Sequence, residues 1–190
     1  MNEDQAQIER EKFLLQVYAD AGFFPIMIFS RNLRSWLGSS ISTVTSNTYN
    51  HFMWQIDYSN LATQDNFWHK ESIFNYMQGE HILKFVVDTR WTVQQRIELL
   101  EAMDKDLAKP FYNRAYDYLA IFGQAIHQPW IQIPWLDICS ERGKYLRITD
   151  SEYRLKHPSP GDINTYQKEH QETEHEGGYK VIGRWLPIDF

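Results

Sequence analysis

Three observations predict an α+β fold in which a small antiparallel sheet packs against helices. Apolar residues at helical spacing open the chain, short aromatic and β-branched runs fill its middle, and a capped amphipathic helix follows them. At 190 residues the chain suits a single domain spanning 1–190. A domain of that length buries about 70% of its unfolded surface and needs no covalent staples.

In residues 2–20, Ile8, Phe13, Leu14, Val17 and Tyr18 recur among charged residues, which predicts an amphipathic N-terminal helix ending near Gly22. Residues 23–29 form an apolar run suited to a buried strand, with Pro25 confining the ladder to its later half. Leu33, Trp36, Leu37 and Ile41 have helical spacing, and the Ser, Thr and Asn of residues 43–50 read as a turn.

Residues 49–57 are rich in β-forming aromatics, and alternation puts His51, Met53, Gln55 and Asp57 on one face. Residues 58–66 read as a polar turn. Residues 67–73 then supply an antiparallel partner whose Phe67, His69, Glu71 and Ile73 share a face. Residues 81–87 complete a meander of at least three strands.

Thr92 is a good helix N-cap, with Val93, Ile97, Leu100 and Met103 on one face of a helix that Lys109-Pro110 stops. Residues 116–126 are apolar nearly all round, which predicts a buried helix with Asp117 near its positive end. Pro129 and Pro134 predict an extended loop. Residues 151–178 are polar, with Pro158, Pro160 and Gly161 as turn markers, and read as a loop or arm before a last strand over residues 179–185.

Composition excludes several functions. The balance of 19 basic against 25 acidic residues, a net charge of −6, argues against a nucleic-acid binder that works by neutralising phosphates. No apolar run approaches the ~20 residues of a membrane span. The acidic N-terminus, with Glu3 and Asp4, lacks the basic and apolar regions of a signal peptide, which predicts synthesis in the cytoplasm. Gly177-Gly178 is no nucleotide-binding fingerprint, and no cofactor is implied. His170, Glu172, Glu174, His175 and Glu176 lack metal-site spacing and read as a solvated charge run, so no metal site is assigned.

The chain's only cysteine, Cys139, stands where an apolar run gives way to a polar, helical segment. At a helix start the unpaired backbone N–H groups lower a thiol pKa and favour the nucleophilic thiolate. A lone cysteine is also among the most frequently buried residues, and then inert. Thiol chemistry needs an imidazole and commonly a third group to orient the ring. His51 fits the first role and Glu71 the second, with His69 competing for the latter on the same strand face.

The order of three motifs resembles the circularly permuted NlpC-type papain-like amidases, called YiiX-like. They are residues 39–45 leading into Tyr49-Asn50-His51, then Tyr116-Asp117-Tyr118 with Gly123, then Cys139-Ser140-Glu141, and the likeness spans roughly residues 24–163. The Ser159–Ile163 segment also looks like the Pro-containing turn that closes many such domains.

The resemblance implies a permuted papain-like fold with a cysteine at a helix N-terminus, Cys139 as nucleophile and His51 as base. The third residue is a polar group on the strand after the histidine, for which Glu71 is the nearest match. It further implies hydrolysis of amides in peptidoglycan stem peptides or other peptide-like substrates. Relatives of this type without signal peptides occur in bacteriophages, where a virion or lysis provides the route to the wall.

Two other functions compete with amide hydrolysis. Acyl transfer or thioester hydrolysis on the same dyad would use an apolar site, with Trp130 and Trp135 as candidate lining. A non-catalytic assembly module would engage protein partners through its termini.

Overall fold

A computed structural model describes residues 2–32, 48–125, 128, 131–133, 136–156 and 158–187. The expected helix at 33–41, residues 39–45 of the resemblance, Pro129, Trp130, Pro134 and Trp135 lie outside the described residues.

Helix α1 (Glu3–Ala21) starts at Asn2, whose side chain accepts from the Gln5 amide, and ends at Gly22, whose φ of 69° suits a residue without a Cβ. It leads into strands β1 (Ile26–Asn32), β2 (His51–Gln55), β3 (Asn60–Gln64) and β4 (Trp68–Ser72), then helix α2 (Ile73–Gln78) and strand β5 (His81–Asp88). Helix α3 (Val93–Leu107) carries the full Thr92/Gln95 capping box, and helix α4 (Tyr118–Ala125) follows. A 3₁₀ helix (Cys139–Tyr145) runs directly into the short helix α5 (Leu146–Thr149), and helix α6 (Pro160–Glu169) and strand β6 (Tyr179–Trp185) close the chain.

The six strands form one antiparallel sheet in the order β4-β3-β2-β1-β5-β6. Strand alternation divides the core in two. Ile28, Met53, Leu61 and Phe85 pack with Leu14 and Val17 of α1 and Met77 of α2 on one face. On the other, Phe29, Phe52, Trp54 and Trp68 pack with Leu99 and Met103 of α3, Tyr145 and Leu146 of the cysteine segment, and Ile163 and Tyr166 of α6. At Gly183 the approach of α1 is close: a Cβ there would lie 2.9 Å from Val17 Cγ2 and 3.0 Å from a Phe13 ring carbon. Among the described residues no helix is long and apolar enough to cross a membrane.

The α+β class, α1, β1, β2, β5, α3 and β6 follow the sequence expectations. Three expectations need correction. First, residues 58–66 are not simply a turn. Asp57 folds back to accept from the Ser59 and Asn60 amides, and Asn60 then opens β3, which pairs with β2. The run over 67–73 is therefore one strand further out, paired with β3, while β5 pairs with β1 and β6.

Second, the 151–178 arm contains α6. Ser159 and Asp162 form a reciprocal capping box around Pro160 in the first helical turn, so the Pro-Gly pair starts a helix and is no loop. Ile163, Asn164, Tyr166 and Gln167 of this helix are buried. Third, α4 is not wholly buried: Tyr118 is 57% and Leu119 50% exposed.

Candidate functional site

The site is built where β2 begins and β3 ends. The β2/β3 register pairs Trp54 with Ala62 and Gln55 with Leu61, and carrying it to the start of β2 puts His51 opposite Asp65. His51 and Thr63 share the parity of Met53 and Leu61, while Gln64 projects to the opposite face.

Gln64 fixes the cysteine segment against this strand end. Its amide donates to the carbonyls of Arg114, Ala115 and Asp137, and its Oε1 accepts from Arg142 Nε at 2.7 Å. Arg142 is 3% exposed and pairs with Asp106 and Asp137, both at 3.1 Å, while its carbonyl accepts from the Trp54 indole. A buried guanidinium so surrounded has its charge matched and its fork satisfied.

A parallel bridge between Tyr116 and Asp137 brings a second loop alongside. The fully buried Asp117 holds that loop by accepting from the amides of Ala120 and Ile133, so it caps α4 as its position in the sequence predicts.

Cys139, the first residue of the 3₁₀ helix, meets His51. The thiol and the imidazole are hydrogen-bonded, and the Phe52 backbone amide also bonds the sulfur. His51 Nε2 lies 2.8 Å from Thr63 Oγ1 and 3.2 Å from Asp65 Oδ1. Tyr76 Oη lies 3.1 Å from Thr63 Oγ1 and donates to Asp65 Oδ2 at 2.8 Å, and its ring stacks on His51 at 6.3 Å.

A hydroxyl and a carboxylate at Nε2 keep the proton there and leave Nδ1 as the basic nitrogen facing the sulfur. On the far side of the thiol, Tyr116 donates to Sγ across 3.8 Å while its oxygen accepts from the Cys139 amide.

Cys139 is 3% exposed and the His51 side chain 14%. Burial alone pushes the His51 pKa down, but the facing Cys139 sulfur and the Asp65 carboxylate outweigh it and raise the pKa to about 9. Burial likewise pushes the Cys139 thiol up, and the His51 charge, with the hydrogen bonds from His51, Phe52 and Tyr116, brings it below its ordinary value. The two directions agree: each member of the pair favours the charged form of the other. Burial and the Cys139 charge raise Tyr116 well above its ordinary range, which keeps its hydroxyl protonated and a donor.

Of the residues selected from sequence, Cys139 and His51 are brought together and Glu71 is not joined to them. Glu71 Oε2 faces His69 Nε2 at 3.0 Å and its Oε1 accepts from Asn75 at 2.7 Å. The carboxylate at His51 is Asp65, and neither competitor, Glu71 or His69, contacts the dyad histidine. The cause is β3, which places 67–73 one strand too far away. Asp65, Thr63 and Tyr76 escaped sequence reasoning, and Tyr116, part of the Tyr116-Asp117-Tyr118 motif, was given no role by it. The signal that finds the first two is the turn at Asp57 followed by the Leu61/Thr63 alternation.

Comparison with protein-family models, with curated proteins and with solved structures gave no match.

Proposed function

We propose that the protein is a cysteine amidase or endopeptidase of permuted papain-like type, acting on peptide amides such as those of peptidoglycan stem peptides. The observation that carries this reading is the thiol–imidazole pair whose outer nitrogen is held by Thr63 and Asp65. A buried structural cysteine has no need of an oriented base.

In this reading the Cys139 thiolate attacks the amide carbonyl carbon. The developing oxyanion is met by the Tyr116 hydroxyl and the Cys139 amide, which now bond one another and turn to the substrate. The C–N bond breaks as imidazolium His51 gives its proton to the leaving amine. Water, deprotonated by His51, then attacks the thioester, releasing a carboxylic acid and restoring the pair.

The low exposure of Cys139 supports a second reading, acyl transfer. In it an alcohol or amine replaces water at the thioester, because a desolvated sulfur limits competition from hydrolysis.

The test uses p-nitrophenyl acetate as acyl donor and then a digest of peptidoglycan fragments. The wild type acquires one acetyl group on Cys139, detected by mass, and releases amines from the digest. Cys139→Ala does neither, and His51→Ala acetylates about 10²–10⁴-fold more slowly. Acetylation without amine release, with acyl groups passed to added alcohols, selects the second reading. Equal ester turnover by Cys139→Ala overturns both.

A further inference from the structure

We infer that a cavity between the cysteine segment and residues 153–156 binds a small organic carboxylate, at a site separate from the dyad. The cavity measures about 310 Å³, at the lower end of the range for small-molecule sites, and suits a ligand the size of one amino acid. The 3₁₀ helix and α5 wall it on one side, and the chain between α5 and α6 walls it on the other.

The lining holds three cations, Lys144, Arg147 and Lys156, against two carboxylates, Asp137 and Glu141, so one positive charge is in excess. Lys144 is committed within the fold, 2.8 Å from Asp137 and 3.4 Å from Asp106. Asp137 also meets the buried Arg142, and Glu141 Oε2 accepts from the Ile138 amide at 3.0 Å. Arg147 and Lys156 have no carboxylate partner among the described residues. Arg147 Nη2 donates to the Leu155 carbonyl at 2.9 Å, which fixes the guanidinium at the cavity wall through one of its five donors.

Tyr153 points to the same ligand independently of these charges. It also lines the cavity, is 1% exposed, and its hydroxyl has no hydrogen-bond partner among the described residues. The hydroxyl oxygen lies against the cysteine segment, 2.8 Å from where a Gly143 Cβ would stand, and the Arg147 charge bears on it. Asp162 bears on it as well, but that carboxylate caps α6 by accepting from the Ser159 amide. Burial raises the Tyr153 pKa, so the hydroxyl stays protonated and a donor. A buried donor without an acceptor is costly, and a ligand oxygen at the inner end of the cavity supplies one.

The chemistry of the lining selects a carboxylate. Its two oxygens match the guanidinium fork of Arg147, with Lys156 on the same cavity, and its single charge balances the excess. A phosphate dianion would put a second negative charge beside Asp137 and Glu141. Leu155 and Pro158 supply an apolar wall for the hydrocarbon body of the ligand.

The test is NMR titration of the full-length, ¹⁵N-labelled protein at neutral pH with N-acetyl-L-valine, with its uncharged analogue N-acetyl-L-valinamide, and with inorganic phosphate. N-acetyl-L-valine binds with a Kd on the order of 1 mM and shifts the amides of Lys144, Arg147, Tyr153 and Lys156. The amide and phosphate bind about tenfold more weakly or worse. Arg147→Gln and Lys156→Gln each weaken binding about tenfold. Lys156 bonds nothing else among the described residues, so its loss is not a structural one. Tyr153→Phe weakens binding about three- to tenfold without lowering the melting temperature of the ligand-free protein. Cys139→Ala binds as the wild type does, which keeps the result apart from that of the thiol chemistry. Absence of saturable shifts, equal affinity for the amide or for phosphate, or wild-type affinity in Lys156→Gln or Tyr153→Phe overturns the inference. So does a lowered melting temperature in Tyr153→Phe or loss of binding in Cys139→Ala.

Discussion

Two histidines sit at neighbouring corners of the same sheet end and have their pKa values pushed in opposite directions. His51 starts β2 across from Ser30, and His81 starts β5 across from Asn32, so the two flank the end of β1. Tyr76 touches both, stacked on His51 and edge-on to His81 with ring centres 5.0 Å apart. Burial pushes both rings toward neutrality. At His51 the Cys139 sulfur and the Asp65 carboxylate overcome it. At His81 the hydrogen-bonding contacts are Ser30 Oγ and the Asn32 amide, and burial with the His51 charge outweighs the pull of Asp65, so the pKa falls below its ordinary value. Strand position and burial therefore do not make a base; the anion placed against the ring does.

The sharpest way to break the comparison is to remove each ring. His51→Ala should slow acetylation of Cys139 by about 10²–10⁴-fold, whereas His81→Ala should stay within about threefold. Single-turnover release of p-nitrophenolate measures both, and equal losses would show that His81 shares the proton transfer.

Lys84 carries the same lesson into the core. It is 4% exposed, bonds the neutral Asn164, lies over the Phe29 ring at 4.5 Å, and feels the charges of Lys168 and Arg184. Burial first, then those cations, lower its pKa from 10.5 to about 8. A folded-state value below the unfolded one penalises the protonated fold, so this contribution makes stability rise between about pH 8 and 10.5. The difference corresponds to on the order of 3 kcal/mol. Lys84→Met should stabilise the protein at pH 7, by no more than that amount, and should remove the rise. Denaturant unfolding across pH measures it, and a destabilised variant would show that the amine has an anion to pair with.

Asp65→Asn sharpens the contrast by weakening one anion. The thiolate–imidazolium window opens at the lowered Cys139 pKa and closes as His51 loses its proton near pH 9. Labelling by iodoacetamide should therefore proceed well below the ordinary thiol pKa of ~8.5, and amide or ester turnover should decline above about pH 9. In Asp65→Asn that decline should begin at lower pH, with about a tenfold loss of rate at pH 7.5, because Thr63 still holds the Nε2 proton and preserves the tautomer. Glu71→Gln should leave the profile unchanged. A Glu71→Gln shift as large as that of Asp65→Asn would return Glu71 to the dyad.

The smallest expected effect is at Thr63. Thr63→Val should lower the rate only a few-fold while Asp65 remains, and the pH profile of labelling checks it.

Cys139 and His51 were legible from sequence because their chemistry is local: one cysteine at the boundary of an apolar run and one histidine opening an aromatic strand. The helices with conventional apolar stripes, α1 and α3, were legible for the same reason. Asp65 was not, because its role comes from pairing across a hairpin whose inner strand includes Asn60 and Ala62, residue types depleted in strands, and so lacks a strong β signature. Helix α6 was hidden by Pro160-Gly161, which suggests a turn until Ser159 and Asp162 are read together as a cap. Tyr116 reaches the sulfur through the Asp137 bridge, a contact between segments that no spacing encodes.

The five residues of β3 act as a phase reference for the chemistry. Thr63 points to the base while the next residue, Gln64, points to the segment that carries the nucleophile. A one-residue insertion in the Asp57–Asn60 turn that is absorbed by slipping the β2/β3 register by one would invert the pleat and exchange those two directions. Both halves of the pair would lose their alignment in one step, leaving a folded protein with an ordinary thiol. Turn length in this hairpin is thus a setting for acidity at a sulfur more than seventy positions away.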